Sequence, residues 1–184
     1  MTDLESLFAT IDQAFAQVAA DHQEEVRCGR GCDDCCHAVF DVSLVEAVAV
    51  RQAFDRLDEA AREAVRQEAV KALAAWQALL AAKTDLAVAR IRCPLLDDAG
   101  SCRCYAARPV NCRTYGIPTV IQGKAHVCGL SGFEPGKSYP VIRLEAIQQA
   151  LYGLSCQLGG EGAASRRWPV AAVLLGDPEV DGLR

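Results

Sequence analysis

A chain of 184 residues with 51% hydrophobic side chains carries enough apolar material for a real core, and its length fits one domain over 1–184. The formal charge of −5, with no long Lys/Arg stripe to neutralise phosphates, speaks against nucleic acid as a partner. The longest apolar runs, around 73–82 and 170–175, are far too short to cross a bilayer, so no membrane partner is expected either.

The opening Met1-Thr2-Asp3-Leu4-Glu5 carries acids where a secretory signal needs a basic start, so a cytoplasmic location is expected. Leu4, Leu7, Phe8, Ile11, Phe15 and Val18 then recur at helical spacing and predict an amphipathic helix over 4–18. This helix leads into a cysteine-rich loop, Cys28-x3-Cys32-x2-Cys35-Cys36. Beyond it, Ser43 stands three residues before Glu46, the pattern of a capping box, and predicts a second helix to about Leu57.

The stretch from Asp58 to about Ala89 is rich in Ala, Glu, Arg and Gln, with Val65, Ala69, Ala72, Trp76 and Leu79 in steps of four and three. It reads as one long helix, or as two joined near Lys83-Thr84-Asp85. From Arg92 to Lys137 the periodicity is lost and Pro, Gly and Cys recur every few residues, which marks a loop-rich module ordered by something other than regular hydrogen bonding. Leu144, Ile147, Leu151 and Leu154 restore helical spacing, and Gly159-Gly160 with Gly162 breaks it. The apolar Trp168 to Leu175 is expected to form a short strand or helix. The fold class is therefore mainly α, with helices packed on a cysteine-rich, loop-built metal-binding module drawn from 28–36 and 92–137.

The chemistry of the chain lies in its ten cysteines. In a reducing compartment grouped cysteines bind metal or do redox chemistry more often than they form disulfides. Spacings of two and three residues let neighbouring thiolates close on one ion, and glycines such as Gly29 and Gly31 permit the tight turns this needs. The expected metal ligands are Cys28, Cys32, Cys35, Cys36, Cys93, Cys102, Cys112 and Cys128. Consecutive side chains usually diverge, so adjacent Cys35 and Cys36 point to two metals or one polynuclear cluster. Eight thiolates make two four-cysteine sets, each carrying about −2 with zinc. Arg27, Arg30, Arg92, Arg103, Arg108 and Arg113 stand near enough in sequence to compensate that charge, or are solvated surface.

Two cysteines are set apart from the ligand set. Cys104 reads as a small buried hydrophobe or an extra ligand, and Cys156, on the C-terminal helix pattern, as core filling. His37 and His126 are alternative nitrogen ligands beside the cysteines, whereas His22 reads as solvated. Tyr105 and Tyr115 either shield the centre or pack in the core. Gly132 to Ser138 fails the phosphate-loop spacing, because Ser131 stands where the first glycine is required. Cys28-x3-Cys32-x2-Cys35 resembles the cluster-binding triplet of radical S-adenosylmethionine enzymes, but that triplet leaves Cys36 unexplained, and the chain is too short and too helical for their barrel.

Cys28-x3-Cys32-x2-Cys35-Cys36 also resembles the signature of the YkgJ-type cysteine-cluster family, to whose members zinc or iron chelation is ascribed. The downstream block is similar too: Cys93-Pro94-Leu95-Leu96, then Gly100-Ser101-Cys102-x2-Tyr105, then Arg108-Pro109-x2-Cys112-Arg113-x-Tyr115, with Cys128 as a last ligand. The chain departs from the pattern at Cys104, where an apolar residue is more usual, and at Gly116, where proline often follows the tyrosine. The resemblance implies a metal-binding protein with zinc or iron, an iron-sulfur cluster included, as cofactor. Its rival is an iron-sulfur redox or protein-modifying enzyme, since some multidomain relatives are linked to protein methylation. Two closed tetrathiolate sets would leave no open coordination position, which weighs against catalysis. Metal ions are the expected partner, and a structural zinc module could also present the helices to a protein. Zinc and iron are not distinguished, because both accept four thiolates at tetrahedral geometry.

Overall fold

Apolar periodicity accounts for most of the helices. The computed structural model describes residues 2–29 and 31–183. Helix α1 (Thr2–Asp21) buries Leu4, Phe8, Ile11 and Val18 of the predicted stripe, with Leu7 and Phe15 half-buried. A short strand, β1 (Asp41–Val42), leads into α2 (Leu44–Asp55). The capping box forms: the Ser43 N–H and hydroxyl donate to Glu46 Oε2 at 2.9 and 2.7 Å.

Helix α3 (Glu59–Ala81) starts on Asp58, whose carboxylate accepts from the Ala61 N–H at 2.8 Å. It ends earlier than Ala89. Lys83 takes a left-handed φ of 51° and the Thr84 N–H returns to the Leu79 carbonyl, which closes the last turn. The segment beyond is irregular rather than a second helix.

The loop-rich stretch holds more regular structure than its composition announces. A five-residue helix, α4 (Val110–Thr114), precedes a hairpin of β2 (Thr119–Ile121) and β3 (Lys124–His126). Gln122 and Gly123, at φ 50° and 73°, make the two-residue turn whose twist suits paired strands. Strand β4 (Ile142–Arg143) lies parallel to β2, pairing Ile142 with Thr119.

Helix α5 (Leu144–Ala164) runs through the glycine cluster and kinks at Gly160, φ 78°. Gly159 carries a different demand, since a Cβ there would come within 2.7 Å of Leu44 Cδ2. Trp168–Leu175 resolves into both expected forms: β5 (Trp168–Pro169) pairs antiparallel with β1, and α6 (Val170–Leu175) follows. A last turn, α7 (Pro178–Asp181), is capped by Asp177.

The main core gathers Val42, Leu44, Val48 and Phe54 of β1 and α2, Val65 and Ala69 of α3, and Trp168, Val173 and Leu174. Leu95 and Cys104 belong to it, and Cys93 and Cys102 pack against it, so part of the cysteine-rich module sits directly on the helical core. A second cluster joins α1 to Val45, Val110 and Leu151, and a third joins Val18 to Ile117 and Phe133. His22 is not solvated as its helix position implied. Its ring packs against Tyr139 (5.4 Å between centroids) and Phe133 (6.1 Å), because the segment after Cys128 folds back over the end of α1.

Candidate metal centre

The first cysteine group sits on a 3₁₀ turn (Asp34–His37), and the chain from Arg90 onward is laid against it. The Ile91 N–H donates to the His37 carbonyl at 3.0 Å and the Cys93 N–H to the Cys36 carbonyl at 2.6 Å. After Cys93 the chain makes a tight turn, with the Arg103 N–H on the Leu95 carbonyl and the Asp97 carboxylate accepting from the Ala99 and Ser101 N–H groups. That turn carries Cys102 back beside Cys93. Helix α4 then brings in Cys112.

Five cysteines, Cys35, Cys36, Cys93, Cys102 and Cys112, thus line one cavity of about 70 Å³. Its other walls include Phe40, Trp76, Ile91 and Val170. Three more, Cys28, Cys32 and Cys128, line a separate gap of about 10 Å³, the scale of one small ion or water. All ten cysteines are free thiols. Among the described residues, no three His, Cys, Asp or Glu side chains are closed to a geometry that would hold an ion. Some of the sulfurs are hydrogen-bonded to one another, Cys35 to both Cys36 and Cys112, and Cys28 to Cys32.

Their electrostatics follow from that crowding. Cys35 accepts hydrogen bonds from Cys112 and Cys36 and is pulled far below the ordinary thiol range. The two donors, Cys36 and Cys112, are pushed up correspondingly, with burial adding to the effect. Burial, then the nearby Cys32, Cys35 and Cys128, raises Cys28 to about 11, and burial raises Cys93 to about 12. Opposing this, three sulfurs accept a backbone N–H from two residues further on: Cys93 from Leu95, Cys102 from Cys104 and Cys128 from Leu130. Such donors stabilise thiolate charge, the form in which cysteine binds metal.

The two groups share a border. Asp34, immediately before Cys35, accepts from Cys128 Sγ at 3.5 Å and from the Tyr115 hydroxyl at 2.9 Å, while Arg90 pairs with its other oxygen at 2.5 Å. Burial works against ionisation here, but the bonds from Arg90 and Tyr115 hold the Asp34 carboxyl below its usual range. Neither Asp34 nor Arg90 stood out in the sequence, although Asp34 lies inside the motif itself. Gly116 meets a local demand: its φ is 101°, and a Cβ there would fall 2.7 Å from Cys28 Cβ. The residue that departs from the proline pattern is thus one that lets the backbone lie against a cysteine.

Other expected participants separate. Cys104 is buried in the core beside Cys102 and Cys93 and lines neither space, as a small hydrophobe would be. Cys156 is only partly buried and partners the exposed Tyr152 instead of filling the core, because Ser155 takes the inward position on α5. His126 is exposed on β3, and the His37 ring turns to the Asp33 carbonyl at 3.2 Å.

Of the arginines, Arg92 and Arg108 line the larger cavity and Arg27 the smaller. Arg113 points the other way. Only 4% exposed, it pairs with Asp12 of α1 at 2.5 Å, donates to the Arg108 and Ala106 carbonyls, and stacks 3.9 Å over Phe8. Arg30 lies outside the described residues. Tyr115 reaches Asp34 through its hydroxyl, and Tyr105 is exposed with Arg108 stacked on its ring at 4.1 Å.

The sulfur chemistry fits zinc or iron: eight soft donors from five chain segments border two adjoining spaces, with N–H groups aimed at several of them. A family model for CxxCxxCC, described as "Putative zinc- or iron-chelating domain", matches residues 27–129. The chain belongs to this family. The YkgJ-type pattern read in the sequence is the same domain. This member of the CxxCxxCC family has one residue more between its first two cysteines than the family label, in a stretch where Gly31 takes a φ of 89°. No curated protein and no solved structure matches the chain. No helix among the described residues is long and apolar enough to cross a membrane.

Proposed function

We propose that this chain is a cytoplasmic metal-binding protein that holds zinc or iron through Cys28, Cys32, Cys35, Cys36, Cys93, Cys102, Cys112 and Cys128. The reading is carried by one observation: five of these sulfurs, supplied by the turn at 34–37, by Cys93, by Cys102 and by α4, border a single cavity. When bound, the metal would replace protons on the thiols and cross-link segments that have little regular structure of their own. Arg92 and Arg108 beside the larger group, and Arg27 beside the smaller, offset the negative charge of the thiolates.

The test is elemental analysis and labile-sulfide determination on protein purified without oxygen, together with its optical spectrum. Two metal ions per chain in a colourless protein support structural zinc. Iron with sulfide in a brown, reducible protein supports an iron-sulfur cluster. Absence of both, on reconstitution as well as on isolation, defeats the reading.

A second reading, an iron-sulfur redox or protein-modifying enzyme, is favoured by the apolar walls of the larger cavity. Phe40, Trp76, Ile91 and Val170 leave space beside the sulfurs where a substrate group would fit. Catalytic turnover of an added electron acceptor by the iron-loaded protein, lost when the cavity is filled in Ile91→Trp while the cluster's optical spectrum is unchanged, would separate this reading from a purely structural one.

The thiols also set a pH dependence. With Cys28 raised to about 11 and Cys93 to about 12, both are protonated near neutrality without metal. Binding must displace those protons, so zinc affinity should rise with pH throughout the range 6 to 9, and uptake should acidify a weakly buffered solution by close to one proton per protonated thiol engaged. Titration with a pH-indicator dye measures the release, and zinc uptake without acidification contradicts thiol coordination.

A further inference from the structure

The sulfurs divide unevenly. Five border the larger cavity and three the smaller gap, so the smaller group lacks a fourth donor of its own for a tetrahedral ion. We propose that Asp34 supplies that donor, making with Cys28, Cys32 and Cys128 a three-sulfur, one-oxygen site for zinc. The proposal rests on the metal-binding reading above and assigns one ligand within it.

Distance carries the argument. Cys128 Sγ and Asp34 Oδ2 stand 3.5 Å apart, joined by the thiol proton. Two donors on one tetrahedral zinc, at about 2.3 Å for sulfur and about 2.0 Å for oxygen, are separated by about 3.5 Å. An ion can therefore take the place of that proton without either side chain moving away from the other. The carboxylate is also held as ligating carboxylates are, by partners that fix its orientation while leaving a lone pair free. Arg90 holds Oδ1, and the Tyr115 hydroxyl holds Oδ2 from a residue that itself lines the gap. Arg90 further balances the charge of three thiolates and a carboxylate.

The position of Asp34 on its turn explains why an oxygen and not a fourth sulfur serves here. Asp34, Cys35 and Cys36 are consecutive on the 3₁₀ turn, and Cys35 is engaged in the larger group by hydrogen bonds with Cys112 and Cys36. Only the first of the three side chains bonds to Cys128. Asp34 thus meets the smaller group through Cys128 and Cys36 belongs to the larger, while Cys35, bonded to Cys36 and Cys112, stands near enough to Cys28 to raise it.

Zinc X-ray absorption and competition with a chromogenic chelator test the assignment on the full chain reconstituted with zinc. The parent protein should give about one oxygen or nitrogen neighbour for every two zinc ions. Asp34→Cys should keep both ions and lose that light neighbour. Asp34→Ala should make one ion of the two about a hundredfold easier to remove, with an unchanged far-ultraviolet circular dichroism spectrum excluding a failure to fold. A sulfur-only environment in the parent protein overturns the assignment and gives the fourth position to Cys35. Retention of both ions by Asp34→Ala at parental strength overturns it as well. No zinc uptake by the parent chain overturns the assignment and the metal-binding reading together, whereas uptake indifferent to residue 34 overturns the assignment alone.

Discussion

Chelation of the loaded protein should strip amide-exchange protection from 28–36 and from Cys93 to Cys112 by a hundredfold or more, while α2, α3 and α6 keep most of theirs. The difference follows from what holds each part. The three helices share Val48, Phe54, Val65, Ala69, Val173 and Leu174, all buried, and this apolar surface remains whether or not metal is present. The cysteine-bearing segments have few backbone bonds of their own: single contacts such as Cys93 to Cys36 and Arg103 to Leu95, and a one-turn helix. Metal coordination by thiolates is worth on the order of 10 kcal/mol where it orders a small module, far more than those contacts supply. Hydrogen exchange read by mass spectrometry, with and without chelator, measures the contrast. Equal protection in the two states would remove the structural role assigned to the metal.

Glu46→Ala should cost about 3 to 5 kcal/mol of stability, as much as truncating a buried aromatic side chain. Glu46 is only 3% exposed and accepts three bonds: the Ser43 N–H and hydroxyl on Oε2, and the Val110 N–H on Oε1 at 2.8 Å. Removing the carboxylate leaves two buried N–H groups without an acceptor, and each such loss costs about 1 to 3 kcal/mol. The change also undoes the start of α2 and of α4 together. Since α4 carries Cys112, metal retention should weaken along with stability. Glu46→Gln, which keeps an oxygen acceptor, should be milder on both counts. Urea denaturation compared with chelator competition in the two variants checks this, and a Glu46→Ala protein of parental stability would contradict the bonding described.

Helices α1, α3 and α5 were legible because their apolar residues recur at helical spacing, and α2 because Ser43 and Glu46 announce a cap. The hairpin at 119–126 was not, since strands of three residues give too few alternations to register. Gln122-Gly123 was the available signal. His22 and Arg113 were misplaced for a common reason: each is polar and lies beside a feature that seemed to explain it, a helix end for one and a cysteine for the other. Their actual partners, Tyr139 and Asp12, arrive from remote segments. The cysteines could be grouped by spacing along the chain, but the division into five and three could not, because it depends on how Asp34, Cys35 and Cys36 fan out from one turn.

Helix α4 has five residues, too few to persist on its own hydrogen bonds. It is fixed instead at three points: Val110 to Glu46 of α2, Arg113 to Asp12 of α1, and Cys112 beside the sulfurs of the larger cavity. It therefore behaves as a rivet with its shank through three plates. Cys112 and Arg113 are adjacent on it, so the single turn that presents a sulfur to the cavity also carries the guanidinium that clasps the amino-terminal helix.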